Sequence, residues 1–464
     1  MKGKVTHHIL KVAVEVEPKE VAATLWSCAY FFCLLCGYYI LRPVRDEMGI
    51  QAGVDQLQWL FTGTFLTMLA VVPSFGWLSS RFPRRQFLVA AYLFFAANLM
   101  VFYALFKSET LPLETAGAFF IWLSVFNLFV VSVFWSFMAD LFTNAQARRL
   151  YGFIAAGGST GAIAGSLIVK QLVIMMGAAE LLPISTCVLL AAVLCISRLS
   201  TWARKDKPAN TRAGVEIRQP IGGSIFGGLT LLLRSDYLLG IALYIVLFTL
   251  LSTFLYFQKA HIVSAAISDT AQRVELFALI DLFVSALTVL GQLLLLKRII
   301  GRFGLTVALV LLPAIAVAGF FMLGLFPTLA VLIVFGTIGR AGEYAISKPA
   351  RDILFTVVSR EEKYKVKNFL DTAMIRGSGA VSGWLVEGLR LLGAGVSGLA
   401  FVAVPIAMLW ATTAYLIGQR QEQLRAALNA KRIYPPDNSE LKTPISAGAG
   451  DGAHPATNPY AGPR

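Results

Sequence analysis

The sequence predicts an all-α membrane protein with 12 transmembrane helices in two six-helix repeats, and three observations carry that prediction. Hydrophobic residues make up 57% of the 464 and charged residues only 14%, with a mean hydropathy of +0.70, whereas soluble domains run near a quarter charged. The apolar residues gather into runs of about 20, the length that crosses a bilayer as a helix. The basic residues fall between those runs and alternate between heavy and light connections, as they do when no span has been missed.

The runs lie at 21–42, 57–79, 86–106, 116–141, 151–176 and 179–199, then at 237–259, 273–296, 304–326, 328–357, 367–390 and 395–418. Arg81, Arg84 and Arg85 follow the second run, Arg148 and Arg149 the fourth, Lys297, Arg298 and Arg302 the eighth, and Arg360, Lys363, Lys365 and Lys367 the tenth. Positive loops stay in the cytoplasm. The expected setting is therefore a bacterial inner membrane, crossed many times with both termini cytoplasmic. The net charge of +14 orients the chain and does not mark a nucleic-acid partner; its partner is the lipid bilayer.

The chain divides into an N-terminal cytoplasmic segment (1–20), a first six-helix half (21–199), a basic cytoplasmic linker (200–236), a second half (237–418) and a Gly-, Pro- and Ala-rich tail (419–464) that reads as disordered. Basic turns at 80–85 and 297–304 occupy matching places in the halves. Gly157, Gly161 and Gly165, like Gly379 and Gly383, recur every four residues, a spacing that lets helix backbones touch, either in static packing or in a sliding contact between halves.

Enzyme chemistry is not expected. The four histidines stand in tails and a loop, the five cysteines sit inside apolar runs, and no phosphate-cradling Gly-x-x-x-x-Gly-Lys-Ser/Thr loop occurs. Neither a metal site nor a cofactor is implied. Any work done across the membrane must draw on gradients or exchange.

Charges inside the spans are the candidate functional groups, because a charge in lipid needs a partner or water. In the tenth run Arg340, Glu343, Ser347 and Arg351 share one helical face, flanked by Tyr344 and Lys348. Arg376 in the eleventh run lies near the midplane and can converge with Arg340, while Asp371 sits shallower, near Lys367. The eighth run supplies Glu275 and Asp281, and the fourth Asn127 and Asp140. The first run ends in Arg42-Pro43-Val44-Arg45-Asp46-Glu47, where proline is expected to break or kink the helix at the mouth. Guanidinium grips phosphate or carboxylate with two parallel bonds, so an excess of buried arginine points to an anionic solute. Structural salt bridges are the alternative role for these groups.

Four stretches carry a family resemblance. Tyr39-Ile40-Leu41-Arg42-Pro43-Val44-Arg45-Asp46, Phe134-Trp135-Ser136-Phe137 with Ala147-Arg148-Arg149-Leu150-Tyr151, Glu275-Leu276-Phe277 through Asp281, and Lys348 through Asp371 resemble segments of the ATP/ADP exchange translocases of plastids and intracellular bacteria. Those translocases are distant members of the major facilitator superfamily. The resemblance implies the major facilitator fold, with Arg45 in the place of a key lysine, Lys367 near a second, Glu275 or Asp281 at an essential acid, and Asp140 where the family favours Asn.

The function expected is secondary transport of an anionic solute by alternating access, with nucleotide exchange as the most specific form. Arg45, Arg340, Arg376, Lys348, Lys367 and Asn127 would bind the solute; Asp46, Asp140, Glu275, Asp281, Glu343 and Asp371 would balance charge or couple to protons. A proton-coupled carrier of small organic or amphipathic compounds is the runner-up. A non-transporting accessory protein whose basic loops dock on anionic lipid is a third reading.

Overall fold

The computed structural model describes residues 17–81, 84–108, 112–206 and 225–433. Among these the first half contains α1 (Val21–Gln51), α2 (Leu57–Arg81), α3 (Arg84–Ser108), α4 (Pro112–Leu141), α5 (Asn144–Met176) and α6 (Leu181–Asp206). A short helix, Ile225–Leu232, precedes the second half. There α7 is Asp236–Ala266, α8 is Thr270–Gly291, α9 is Lys297–Leu325, α10 is Leu329–Leu354 and α12 is Val396–Ile433. Between the last two, α11 comprises Arg360–Phe369, a π-helical turn Leu370–Met374, and Ile375–Leu391.

Among the described residues ten stretches are long and apolar enough to cross a membrane. One of them, Thr270–Leu325, is 56 residues long and holds two spans: Gly304, at φ 83°, breaks the helix near the start of α9 with a backbone angle that side chains resist. That makes eleven. The twelfth is α11, which falls short on hydropathy because it carries Asp371, Arg376, Glu387 and Arg390.

The halves repeat each other. In the first, α1 packs on α5 and α6, α3 on α6, and α2 on α4; in the second, α7 packs on α11 and α12, α9 on α12, and α8 on α10. Between halves the equivalent pairs α2–α11 and α5–α8 meet, joined by α1–α8. Each half has its own apolar core, and the two cores exchange side chains at one end: Ile50, Leu57, Leu60 and Phe120 join the second, Val274 and Ala278 the first. This is the Gln51 end of the bundle.

The glycine spacings resolve differently in the two halves. A Cβ on Gly157, Gly161 or Gly165 would lie 2.3–2.5 Å from the backbone carbonyls of Cys28, Phe32 and Cys36, so these glycines seat α5 on α1 inside one half. That contact lies within a half, not between halves. Gly383 instead faces Gln58 of α2, and Gly379 faces Phe61, so the α11 pair does lie between halves.

Three boundaries differ from the sequence reading. Helix α1 runs unbroken through Pro43 to Gln51; a proline inside a packed helical bundle is tolerated where neighbouring helices resatisfy the freed carbonyl. The linker is narrower than 200–236, since α6 reaches Asp206 and Ile225–Leu232 is helical, with 207–224 outside the described residues. The tail is not irregular from Gln419 onward, because α12 continues to Ile433; residues 434–464 and 1–16 are outside the described residues.

Candidate functional site

The unbroken α1 carries Arg42, Arg45, Asp46 and Glu47 into the bundle instead of leaving them at a mouth, and Arg42, Asp46 and Glu47 each pair with the second half. Asp46, 5% exposed, sits 2.6 Å from Nζ of Lys259 on α7 and 2.6 Å from its neighbour Arg45, and accepts a bond from the Tyr256 hydroxyl at 3.3 Å. Glu47, fully buried, receives both Nε (2.8 Å) and Nη2 (2.7 Å) of Arg273 on α8. Arg42 Nε stands 3.6 Å from Asp281 of α8, which also holds Arg340 of α10 at 2.8 Å. Farther along the same end Arg390 pairs with Asp55 at 2.7 Å and the Trp384 indole donates to Thr62 at 3.0 Å.

Buried ion pairs justify their desolvation only with close geometry and further hydrogen bonds. Lys259 adds aromatic faces to its carboxylate, with Tyr256 and Phe277 centroids 4.8 and 4.7 Å away; Arg45 lies over Phe120 at 5.2 Å.

Behind this seam two chambers adjoin. The larger, about 470 Å³, is walled by Lys259, Arg340, Glu343, Tyr344, Lys348, Arg351 and Arg376, with Phe248, Phe320, Phe335 and Trp410 among its apolar residues. The smaller, about 280 Å³, is walled by Arg45, Phe61, Phe120, Ser124 and Thr253, and shares Phe248, Ser252, Tyr256, Ile375 and Arg376 with the first. Arg376 stands between them, and no hydrogen bond or ion pair is described for it. Glu343 is similar: its buried Oε2 lacks a hydrogen-bond partner, and the charged groups near enough to act on it are Arg351 and Lys348.

Local backbone irregularity positions these groups. Helix α10 contains a π-helical turn over Glu343–Ser347, α11 one over Leu370–Met374 just before Arg376, and Gln292–Leu296 at the end of α8 is a third. A π turn inserts a residue and frees a carbonyl, and such turns gather at functional sites. The Gln292 amide donates to the Tyr344 carbonyl at 3.1 Å, tying two of the turns together. Because of the insertion, Ser347 rotates off the expected stripe to bond Tyr244 at 2.9 Å, while Lys348 and Arg351 stay on the cavity wall.

Of the candidate residues, Arg45, Arg340, Arg376, Lys348 and Glu343 meet at the chambers, and Asp46 and Asp281 neutralise them from behind. Lys367 pairs with Asp352 at 2.7 Å away from the chambers, about 13 Å along the helix from Arg376. Asp371 reaches only a space of about 30 Å³ beside Arg376. Asn127 and Glu275 are half-buried and Asp140 exposed, all off the chamber walls. Sequence reasoning passed over Tyr256 and Lys259 although both lie in the seventh run, Lys259 as its last residue; Ser252, Tyr256 and Lys259 sit at i, i+4 and i+7 in that run, one helical face.

Two six-helix halves latched at one end, with the smaller chamber walled from both halves and the larger one walled by the second half, define a multi-pass membrane transporter. Residues 27–350 match the family model described as Major Facilitator Superfamily, and the chain belongs to that superfamily. Solved structures agree in fold. A bacterial homologue of the human lysosomal transporter Spinster, inward-facing and unoccupied, aligns with a TM-score of 0.56 at 13% identity, over 88% of this chain and 99% of that one. The nucleoside transporter NupG aligns at 0.59 and 14% identity, over 86% and 98%. The POT family transporter PepTSo aligns at 0.56 and 17%, over 90% and 99%. No curated protein sequence matches.

Proposed function

We propose that this chain is a secondary active transporter that moves an organic anion across the bacterial inner membrane by alternating access. The observation that carries the reading is Arg376, a guanidinium on the wall of both chambers without a carboxylate partner among the described residues. Around it the charge does not balance: Arg45, Lys259, Arg340, Lys348, Arg351 and Arg376 reach the chambers, against Asp46, Asp281 and Glu343. A surplus of cations in a low-dielectric space attracts an anion, and guanidinium fits phosphate or carboxylate with two bonds.

The narrower reading is nucleotide exchange of the ATP/ADP type. The family-like segments support it, and Tyr256 and Tyr344 on the wall offer aromatic rings against which a base can stack. Uptake of labelled ATP or ADP into proteoliposomes, with and without nucleotide inside, tests it. Counter-exchange that is lost in Arg376→Ala supports both readings; absence of exchange with every nucleotide removes the narrow one.

Proton coupling is a second reading, favoured by the unpartnered Oε2 of Glu343. Transport driven by a pH gradient that persists in Arg340→Ala would place it ahead of anion exchange.

A further inference from the structure

Helix α10 presents one face to the larger chamber, and its character changes along the axis. Arg340 and Glu343 are polar, but Gly336 and then Leu332 extend the same face about 12 Å towards the Gln51 end, at 1.5 Å rise per residue. Opposite them α9 contributes Leu312, Ala316 and Phe320, and Phe320 meets Phe335 edge to face at 5.0 Å. None of these six side chains carries a hydrogen-bonding group. A Cβ built on Gly336 meets nothing within 4 Å, so the glycine leaves open space where any other residue would narrow it.

We infer that the chamber has two subsites, a cationic one at Arg340 and Arg376 and an apolar arm between α9 and α10, and that the transported anion carries an apolar part that enters this arm. The inference rests on the organic-anion reading and narrows it. A small inorganic anion would leave the arm empty of solute. A nucleobase would fit poorly, because its ring nitrogens and exocyclic groups would lose their water without gaining partners there. An alkyl or aryl group loses nothing, and apolar pockets with a few convergent polar groups are the usual form of small-molecule sites. Gly336 is thus a specificity-determining position.

The test is binding of inorganic phosphate and of ethyl, butyl and hexyl phosphate to the full chain in lipid nanodiscs, by titration calorimetry, with ADP as the competing class. Affinity should rise with chain length, by about fourfold for each fully buried methylene, and hexyl phosphate should bind more tightly than ADP. Gly336→Leu should flatten the series, and Gly336→Ala should shorten the chain at which affinity stops rising. Arg376→Gln should weaken every member together. Equal affinity for inorganic and hexyl phosphate overturns the apolar arm alone, as does a length dependence unchanged in both Gly336 variants. Failure of every phosphate and of ADP to bind overturns the organic-anion reading as well.

Discussion

The Asp46 carboxylate on α1 and the Lys259 ammonium on α7 are 2.6 Å apart, the shortest polar bridge described between the halves. Asp46 is shared with Arg45, so it serves both as a clasp and as the counter-ion of two groups on the chamber walls. On the organic-anion reading proposed above, an anion that neutralised Arg45 and Lys259 would compete with Asp46 for them, and occupancy of the chambers would be linked to this seam.

Asp46→Asn should therefore lower thermal stability in detergent. Removing one member of a buried pair costs about 3–5 kcal/mol because the other charge is stranded. Lys259→Met in the same chain removes the stranded ammonium and should recover part of the loss. A double-mutant cycle on melting temperatures measures the coupling; additive effects would show that the pair carries no joint energy.

Glu47 and Arg273 make a two-pronged contact, so shape matters as well as charge. Arg273→Lys keeps the charge but cannot supply two parallel donors. It should lose about 1–3 kcal/mol, the cost of leaving a buried acceptor unsatisfied, and Arg273→Ala should lose more. Equal melting temperatures for wild type and Arg273→Lys would mean that charge alone holds the seam.

Alternating access requires the Gln51 end to part. Gln51 and Thr270, on α1 and α8, touch there at 3.3 Å. With both replaced by cysteine in a chain otherwise free of cysteine, a short bifunctional reagent should stop transport in proteoliposomes, and a cleavable version should restore it after reduction. Full activity in the cross-linked protein would rule out opening at this end.

Much of this arrangement was legible in the sequence, and the failures share a cause. Hydropathy and loop charge located the spans because the bilayer imposes a length and the charge rule a direction. Arg340 and Arg376 stood out because isolated charges in apolar runs are rare. Span ends were the weak point: Arg45 and Asp46 fall past the end of the first run and Lys259 is the last residue of the seventh, because charge density marks the edge of an apolar run, whereas the helices continue through Gln51 and Ala266. The carboxylates that allow this, Asp46 and Glu47, find their partners in the other half, more than 200 positions away. The π turns left no periodic signal either, since each displaces the register by a single residue, enough to send Ser347 to Tyr244.

Glycine substitutions separate packing from space. Gly161 abuts the Phe32 carbonyl, with 2.3 Å left for a Cβ, so Gly161→Ala must push α5 from α1; overpacking of this kind costs about 1–3 kcal/mol. Gly388 on α11 has nothing within 4 Å, and Gly388→Ala should be neutral or stabilising by up to about 1 kcal/mol through helix propensity. The two variants should move the melting temperature in opposite senses. If Gly161→Ala melts like the wild type, α1 and α5 are not in backbone contact.

Glu343 offers the sharpest separation of coupling from binding. Its Oε2 is buried without a hydrogen bond, Lys348 and Arg351 are its charged neighbours, and the residue lines the larger chamber with no ion pair among the described residues. Glu343→Gln keeps the shape and removes the charge. If this group carries the coupling proton, the variant should still exchange solute against solute, while accumulation driven by a pH gradient should fall at least about tenfold, the effect of roughly 1.4 kcal/mol. If the carboxylate instead only balances the surplus of arginine, gradient-driven uptake and exchange should change together, and solute affinity should rise as the chamber becomes more positive. Measuring both modes on one proteoliposome preparation distinguishes the two, because coupling and charge balance predict opposite patterns from the same substitution.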